Sequence, residues 1–546
     1  MPVINFSYSD LCNLMKREVS RDTLRRRLPM MGSDMKAVSD ESDELSFEFF
    51  PNRPDLYSVE GIARAFGSFL SDGPGLREYE VGQSDVDLVV DPSVKDIRPH
   101  IWSALVEDVT IDDALIRSMM DLQEKLHITL GRNRKKVAIG IHDFDAVTPP
   151  FTYKAVLPDE VSFVPLQGSR RMTPREVLEL HEKGRTFAHV LEGKSRYPLI
   201  VDSRGEVLSM PPIINGAVTA VTEATRNIFV DCTGTDLNAV QYAVNILCTA
   251  LAERSGRVST VNITADGSTV RAPDLRSRPM KLDISYANRL LGTRMSPDEM
   301  TACLSRMGFG AVVQGATIEV LVPSYRADII HSADLAEDLA VGHGFEKFGH
   351  TMPSEVTFGR EDPMTAFADL VRPVLTGLGY FEVVTLSLSS PGEQFQSMSL
   401  DPMTPAVRVK NPVSEDNTLL RISLIPSLLS LLRKNKHREL PQKIFEIGDV
   451  VIDGRNVKRL AGVVIHPKAS FTEAKSTVQS IAEALRLVPE TAPHRSRSFI
   501  EGRVAALMID GAFVGLFGEI HPATVVAFEL GYPVIAFEID LEKVRR

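Results

Sequence analysis

Short apolar runs crowd the last third of the chain: Lys443-Ile-Phe-Glu-Ile-Gly448, Ala461-Gly-Val-Val-Ile465, Arg503-Val-Ala-Ala-Leu-Met-Ile509, Phe513-Val-Gly-Leu-Phe517 and Val534-Ile-Ala-Phe-Glu538. Their length and their branched and aromatic content suit strands. Val383-Val-Thr-Leu-Ser-Leu-Ser389 reads as a further strand, behind a helix bearing Phe367, Leu370, Val371 and Val374. A sheet must bury its apolar face, so residues 355–546 are expected to form mixed strands covered by helices.

Two strings in this region carry more than a strand pattern. Leu419-Leu-Arg-Ile-Ser-Leu-Ile-Pro-Ser-Leu-Leu429, followed by Lys443-Ile-Phe-Glu-Ile-Gly448, resembles the antiparallel core of a class II aminoacyl-tRNA synthetase. In that family Phe-Glu-Ile-Gly runs on into Phe-Arg-x-Glu, whose arginine forks onto the α-phosphate of ATP, a task for a planar bidentate donor. Here the continuation is Asp449-Val-Val-Ile-Asp453, without arginine. The family's last motif sets a second ATP arginine behind a Gly-x-Gly turn, and Ala536-Phe-Glu-Ile-Asp-Leu-Glu-Lys-Val-Arg-Arg546 has no such turn. The resemblance implies a core that folds but does not activate an amino acid.

Further strings extend the likeness. They are Phe50-Pro-Asn-Arg-Pro-Asp-Leu-Tyr-Ser-Val-Glu-Gly-Ile-Ala-Arg64, Pro198-Leu-Ile-Val-Asp202, Ser209-Met-Pro-Pro-Ile-Ile-Asn215, Asp231-Cys-Thr-Gly-Thr-Asp236 and Asn411-Pro-Val-Ser414. Together they resemble the β subunit of phenylalanyl-tRNA synthetase in its shorter archaeal and eukaryotic form, over almost the whole chain. Several strings in order carry weight that one alone does not. The resemblance implies an α+β multidomain fold: an α/β editing module, a small winged-helix-like module that binds magnesium, and a degenerate class II core. It also implies a synthetase α subunit as partner in an α2β2 heterotetramer, tRNA(Phe) as ligand, Mg2+ as cofactor, and hydrolysis of mischarged Tyr-tRNA(Phe). The oligonucleotide-binding and anticodon-binding modules of the bacterial form have no room here. A regulatory paralogue with an inactive pocket and a free-standing editing hydrolase are the alternatives, the second disfavoured because it has no use for a synthetase core.

At 546 residues the chain has length for about three to four domains. Its net charge of −11 is awkward for a nucleic-acid binder. Local basic runs remain at Arg25-Arg-Arg27, Arg132-Asn-Arg-Lys-Lys136, Ser169-Arg-Arg171 and Arg433-Lys-Asn-Lys-His-Arg438, each read by itself as a solvated face. Cys12, Cys232, Cys248 and Cys303 lack the spacing of a zinc site or a disulfide scaffold, which suits a reducing cytoplasm. The first residues show no secretory leader, and no apolar stretch is long enough to span a membrane.

Along the chain, residues 1–85 form an N-terminal structural region: a short strand, a helix with Leu11 and Leu14, and a helix behind Asp55 with Leu56, Val59, Ala63 and Phe66 at helical spacing. Structural packing is the preferred reading of this Asn-Arg-Pro-Asp string, with a tRNA or subunit contact from Arg53 or Arg64 second. Ser71-Asp-Gly-Pro-Gly75 reads as a linker.

Residues 86–270 alternate strands and helices. Thr173-Pro-Arg-Glu176 is a capping box whose helix is expected to stop at Gly184; Pro198–Val201 and Asn227–Asp231 read as strands; Asp236–Glu253 reads as a helix. In residues 274–348, Ser296-Pro-Asp-Glu299 starts a helix carrying Met300, Cys303, Leu304 and Met307, stopped by Gly308, ahead of strands Ala311–Val313 and Ile318–Val322. That helix offers only Arg306 as a base, which argues against groove reading.

No Walker loop, nucleophile elbow or zinc motif is present. Ile139-Gly-Ile-His142 faintly resembles the class I synthetase signature, but lacks its first histidine and reads as coincidence. The family resemblance implies an editing pocket at Leu199, Ser209, Asn215, Asp231 and Thr233. From the residues alone, Ser209 and Asn215 fit turn chemistry beside Pro211-Pro212, and Asp231 a turn or cap before Gly234. The resemblance likewise implies magnesium at Asp328, Asp334, Glu337 and Asp338. The last three share one helical face of hard oxygen donors, but from the residues alone an acidic first turn complementing the helix dipole is the preferred reading. His331 and His343 read as surface or packing residues.

Overall fold

The computed structural model describes residues 2–39, 41–71, 75–353, 355, 357–401 and 405–545. It divides into two compact units, Met1–Thr351 and Met352–Arg546.

In the first unit, one continuous apolar core runs from Ile4 and Phe47 through Val244 to Leu339, so the regions expected at 1–85, 86–270 and 274–348 share it. At the N-terminal end, strands Val3–Ser7, Glu44–Phe49 and Ser33–Val38 pair antiparallel in that spatial order. The helix bearing Leu11 is Tyr8–Met15. The helix expected behind Asp55 starts later, at Val59–Phe69, and its cap is Ser58, whose Oγ accepts from Gly61 N–H at 3.3 Å. Asp55 instead pairs with Arg53 (2.8 Å), and both are buried. Arg64 is also buried, its guanidinium 3.7 Å over the Tyr325 ring, so neither arginine is a surface contact. Most of the expected linker, residues 72–74, lies outside the described residues.

The capping box at Thr173 forms, but its helix ends at Leu180. A second helix, Glu182–Phe187, runs through Gly184. Glycine is needed there for a close approach rather than a stop: a Cβ would lie 1.7 Å from Val177 O. Asp236 caps the helix Leu237–Glu253. Ser296 and Glu299 complete a capping box on Pro297–Arg306, and Gly308 follows at φ +82°. Arg278–Asp283, Thr317–Val322 and Gly310–Gln314 form a three-stranded antiparallel sheet beside these helices.

The second unit is a seven-stranded sheet in the order Phe381–Glu382, Gln442–Ile452, Arg455–Ile465, Val534–Asp540, Ala512–Ile520, Phe499–Ile509, Pro489–Pro493. All pairs are antiparallel except Phe381–Glu382 with Gln442–Ile452. Helices Pro363–Gly377 and Phe471–Ala484 cover one core and Ile425–Lys434 the other. Residues 383–387 do not continue the expected strand. Only Leu388–Ser389 pairs, with Leu419–Leu420, and Val384 and Leu386 stand exposed. Asp453 and Gly454, both with positive φ (49° and 75°), make the tight hairpin turn between Gln442–Ile452 and Arg455–Ile465, as a right-handed strand twist requires.

The Phe-Glu-Ile-Gly string has a local purpose. Arg421 and Glu446 form a buried ion pair at 2.8 Å, with Thr385 Oγ1 bonded to both. Gly448 leaves the space, since a Cβ there would stand 2.5 Å from Arg421 Nη2. Nearby, Glu538 accepts from Ser423, Leu424 N–H and Arg459.

Candidate functional site

The strongest constellation grows from a four-stranded antiparallel sheet, Arg257–Ser259, His100–Glu107, Ile228–Gly234, Val137–Asp143. Alternation puts Ala138, Gly140 and His142 on one face of their strand and Asp231 and Thr233 on one face of the next. Gly140 pairs directly with Asp231, and Ala138 with Thr233. A cavity of about 470 Å³ opens on this face, its lining including Ala138, Gly140, Asp231, Ser209, Asn215 and His127.

Three of the expected pocket residues therefore meet: Ser209, Asn215 and Asp231. Ser209 is buried and, among the described residues, its Oγ has no hydrogen-bond partner. Asn215 Nδ2 donates to Ile141 O at 3.3 Å. Asp231 is 1% exposed, with Oδ2 2.7 Å from His142 Nε2. Thr233 and Leu199 do not line the cavity. Thr233 is held by buried Arg98, whose Nε donates to its Oγ1 (2.9 Å) and Nη2 to its carbonyl (2.7 Å). Burial pushes the Arg98 guanidinium down to about 10. Leu199 is fully buried in an apolar cluster with Met210 and Ile213.

Other lining groups were not anticipated. His127 Nε2 accepts from Ile139 N–H at 2.9 Å, which leaves the hydrogen of the neutral ring on Nδ1, and burial pushes the imidazole down to about 4. Arg134 reaches the carbonyls of Pro212 (3.4 Å) and Ile213 (3.0 Å) and lies 4.1 Å over the Phe187 ring. It is aimed by Arg132, Asn133 and Arg134 all adopting positive φ (48°, 54°, 65°), a left-handed run that is costly without glycine. A histidine at even spacing from a glycine, in Val137-Ala-Ile-Gly-Ile-His-Asp143, was the available signal for His142.

The residues expected to hold magnesium are placed differently. Asp334 Oδ2 accepts from Ile330 and His331 N–H, both at 2.7 Å, closing the start of the helix Ser332–His343. Asp328 and Asp338 both bind buried Arg326, at 2.7 and 2.5 Å. Glu337 is exposed, though with Asp328 and Asp338 it lines one cleft. Among the described residues no group of three or more His, Cys, Asp or Glu could hold a metal ion. As arranged, the four do not fit a cation site, because a guanidinium already supplies the positive charge and a helix start has taken one carboxylate.

No helix among the described residues is long and apolar enough to cross a membrane. Cys232, Cys248 and Cys303 are buried free thiols.

Comparison with known proteins accounts for both units. Family models match for the B3/4 domain at residues 107–265, the tRNA synthetase B5 domain at 280–345, and the phenylalanyl-tRNA synthetase beta chain CLM domain at 350–541. These define the class, a synthetase β chain. A phenylalanine–tRNA ligase beta subunit of Methanothrix thermoacetophila is 45% identical over 99% of this chain and 100% of the relative. One from Archaeoglobus fulgidus is 43% identical over 99% and 98%. An N-terminal fragment of the phenylalanyl-tRNA synthetase β subunit from Pyrococcus horikoshii superimposes with a TM-score of 0.61, at 38% identity over 63% of this chain and 99% of the fragment. The chain belongs to the phenylalanine–tRNA ligase β-subunit family.

Proposed function

We propose that this chain works with an α subunit in an α2β2 phenylalanine–tRNA ligase, leaves ATP-dependent charging to that partner, binds tRNA(Phe) and hydrolyses mischarged Tyr-tRNA(Phe) in the cavity at Asp231. The need follows from discrimination: an apolar pocket for phenylalanine rejects tyrosine only modestly, because one added hydroxyl costs little there. Correction requires a second site that selects for the hydroxyl.

The observation that carries the reading is the pairing of Asp231, with one carboxylate oxygen free of hydrogen bonds among the described residues, and the unpartnered Ser209 Oγ on the wall of one cavity. A tyrosyl hydroxyl would satisfy such a group, whereas a phenyl ring would leave it buried and unpaired. Water then attacks the ester carbon, the bond to the ribose oxygen breaks, and tyrosine and tRNA leave. On the other unit, Arg421 and Arg459 are engaged with Glu446 and Glu538, which supports a core without nucleotide chemistry.

The test is deacylation of Tyr-tRNA(Phe) by the purified complex. Asp231→Ala should still permit charging with phenylalanine, while Tyr-tRNA(Phe) accumulates. Full deacylation by that variant sinks the editing reading. A wild-type complex that charges but never deacylates leaves a supporting subunit with an inert pocket.

A further inference from the structure

The function above gives His142, the last residue of the string Ile139-Gly-Ile-His142, no part, yet this residue is the hydrogen-bond partner of Asp231. His142 is fully buried, with Nε2 2.7 Å from Asp231 Oδ2 and Nδ1 2.8 Å from Thr219 Oγ1. Register explains the reach. Gly140 is opposite Asp231, so its missing side chain opens the diagonal path from His142, two residues on along the same face. A Cβ at Gly140 would stand 2.2 Å from Asp231 Oδ2 and 2.5 Å from His142 Nε2.

An ionised carboxylate only accepts, so Nε2 must carry the hydrogen of this bond. Nδ1 lies 2.8 Å from the Thr219 hydroxyl, whose other contacts, Gly216 O and Leu208 O, are longer at 3.2 and 3.3 Å. The chain Thr219 to His142 to Asp231 thus fixes one carboxylate oxygen, and among the described residues Oδ1 has no hydrogen bond. We propose that His142 is a positioning residue that pins Asp231 through Oδ2, so that Oδ1 alone faces the cavity as the acceptor for the substrate's phenolic hydroxyl. This rests on the editing reading of the cavity. Without the pin the carboxylate can turn about its last torsion, and an acceptor that must be re-oriented for each substrate binds it less well.

The experiment compares steady-state deacylation of Tyr-tRNA(Phe) by the complex carrying Asp231→Ala, His142→Leu, His142→Gln or Thr219→Val, with melting curves as the check on folding. Loss of a hydrogen bond to a charged group should raise KM roughly tenfold in His142→Leu, with a smaller change in kcat. His142→Gln, which can present an amide N–H near the place of Nε2, should recover most of that loss. A merely structural histidine would not be rescued in KM by an amide. If Asp231→Ala deacylates like wild type, the editing reading itself fails. If Asp231→Ala is impaired while folded His142→Leu keeps the wild-type KM, the editing reading stands and the positioning role is overturned. Should His142→Leu not fold, Thr219→Val decides: it is expected to raise KM by a smaller factor, and an unchanged KM overturns the proposal.

Discussion

Gly140 faces Asp231 across two antiparallel strands, and the absence of its side chain is what allows Asp231 to meet His142. Gly140→Ala is therefore expected to impair deacylation although it adds one methyl group. The forced shift should cost about 1–3 kcal/mol of stability, the usual range for overpacking. Urea unfolding and Tyr-tRNA(Phe) deacylation, measured on the same preparation, check both parts; normal editing by the Gly140→Ala variant would contradict the tight geometry.

A second expectation concerns the acidic cluster at residues 328–338. Arg326→Met leaves Asp328 and Asp338 without their buried cation and should destabilise the first unit by about 3–5 kcal/mol. Asp334→Ala removes only the group closing a helix start, at about 1 kcal/mol. Chelation of divalent ions should leave the melting temperature of the isolated chain unchanged. A chelator-induced drop, abolished by Asp334→Ala with Glu337→Ala, would restore a metal to this site.

The third expectation is a pH dependence. His127 has an ordinary value of 6.5, and burial lowers it to about 4 in the folded protein. Between these values the unfolded chain takes up a proton that the folded chain refuses. The stabilisation is complete above about pH 6.5 and declines as the pH falls toward 4, by up to about 3 kcal/mol. Denaturation midpoints for wild type and His127→Gln at pH 7 and pH 5 test this, and equal slopes for the two proteins would refute it.

In the second unit, Arg421→Met alone strands Glu446 and should cost about 3–5 kcal/mol, whereas Arg421→Met with Glu446→Leu should recover much of that loss. A double-mutant cycle by chemical denaturation measures the coupling. Additive losses would mean that the pair is not a unit. The isolated chain is also expected to show no phenylalanine-dependent exchange of pyrophosphate into ATP.

Capping signals and strand patterns were legible in the sequence because their causes are local. Thr173, Ser296 and Asp236 each start the helix their residue type predicts. Asp55 misled because it is buried in an ion pair with Arg53, and the helix starts three residues later behind Ser58. Val383–Ser389 misled because its alternation is genuine but, apart from Leu388–Ser389 and single backbone bonds at Val383 and Ser387, it forms no strand ladder among the described residues. At the cavity, Ser209, Asn215 and Asp231 were named through family likeness, while Arg98, His127 and His142 were not. Their importance lies in contacts such as 98 with 233 and 142 with 231, which no spacing along the chain encodes.

The buried pair of Arg421 and Glu446 bears on how such a core could change. With Gly448 making room and Thr385 bonded to both, Glu446 and Thr385 engage the Arg421 guanidinium so that it is not left to meet a phosphate. Inserting a single arginine into Asp449-Val-Val-Ile-Asp453 would not reopen nucleotide chemistry, because the existing couple would first have to be prised apart inside a low-dielectric interior. The first step back is uphill before any benefit arrives. On the reading proposed above, packing acts as a ratchet, holding the chain in a supporting part more firmly than the missing motif would by itself.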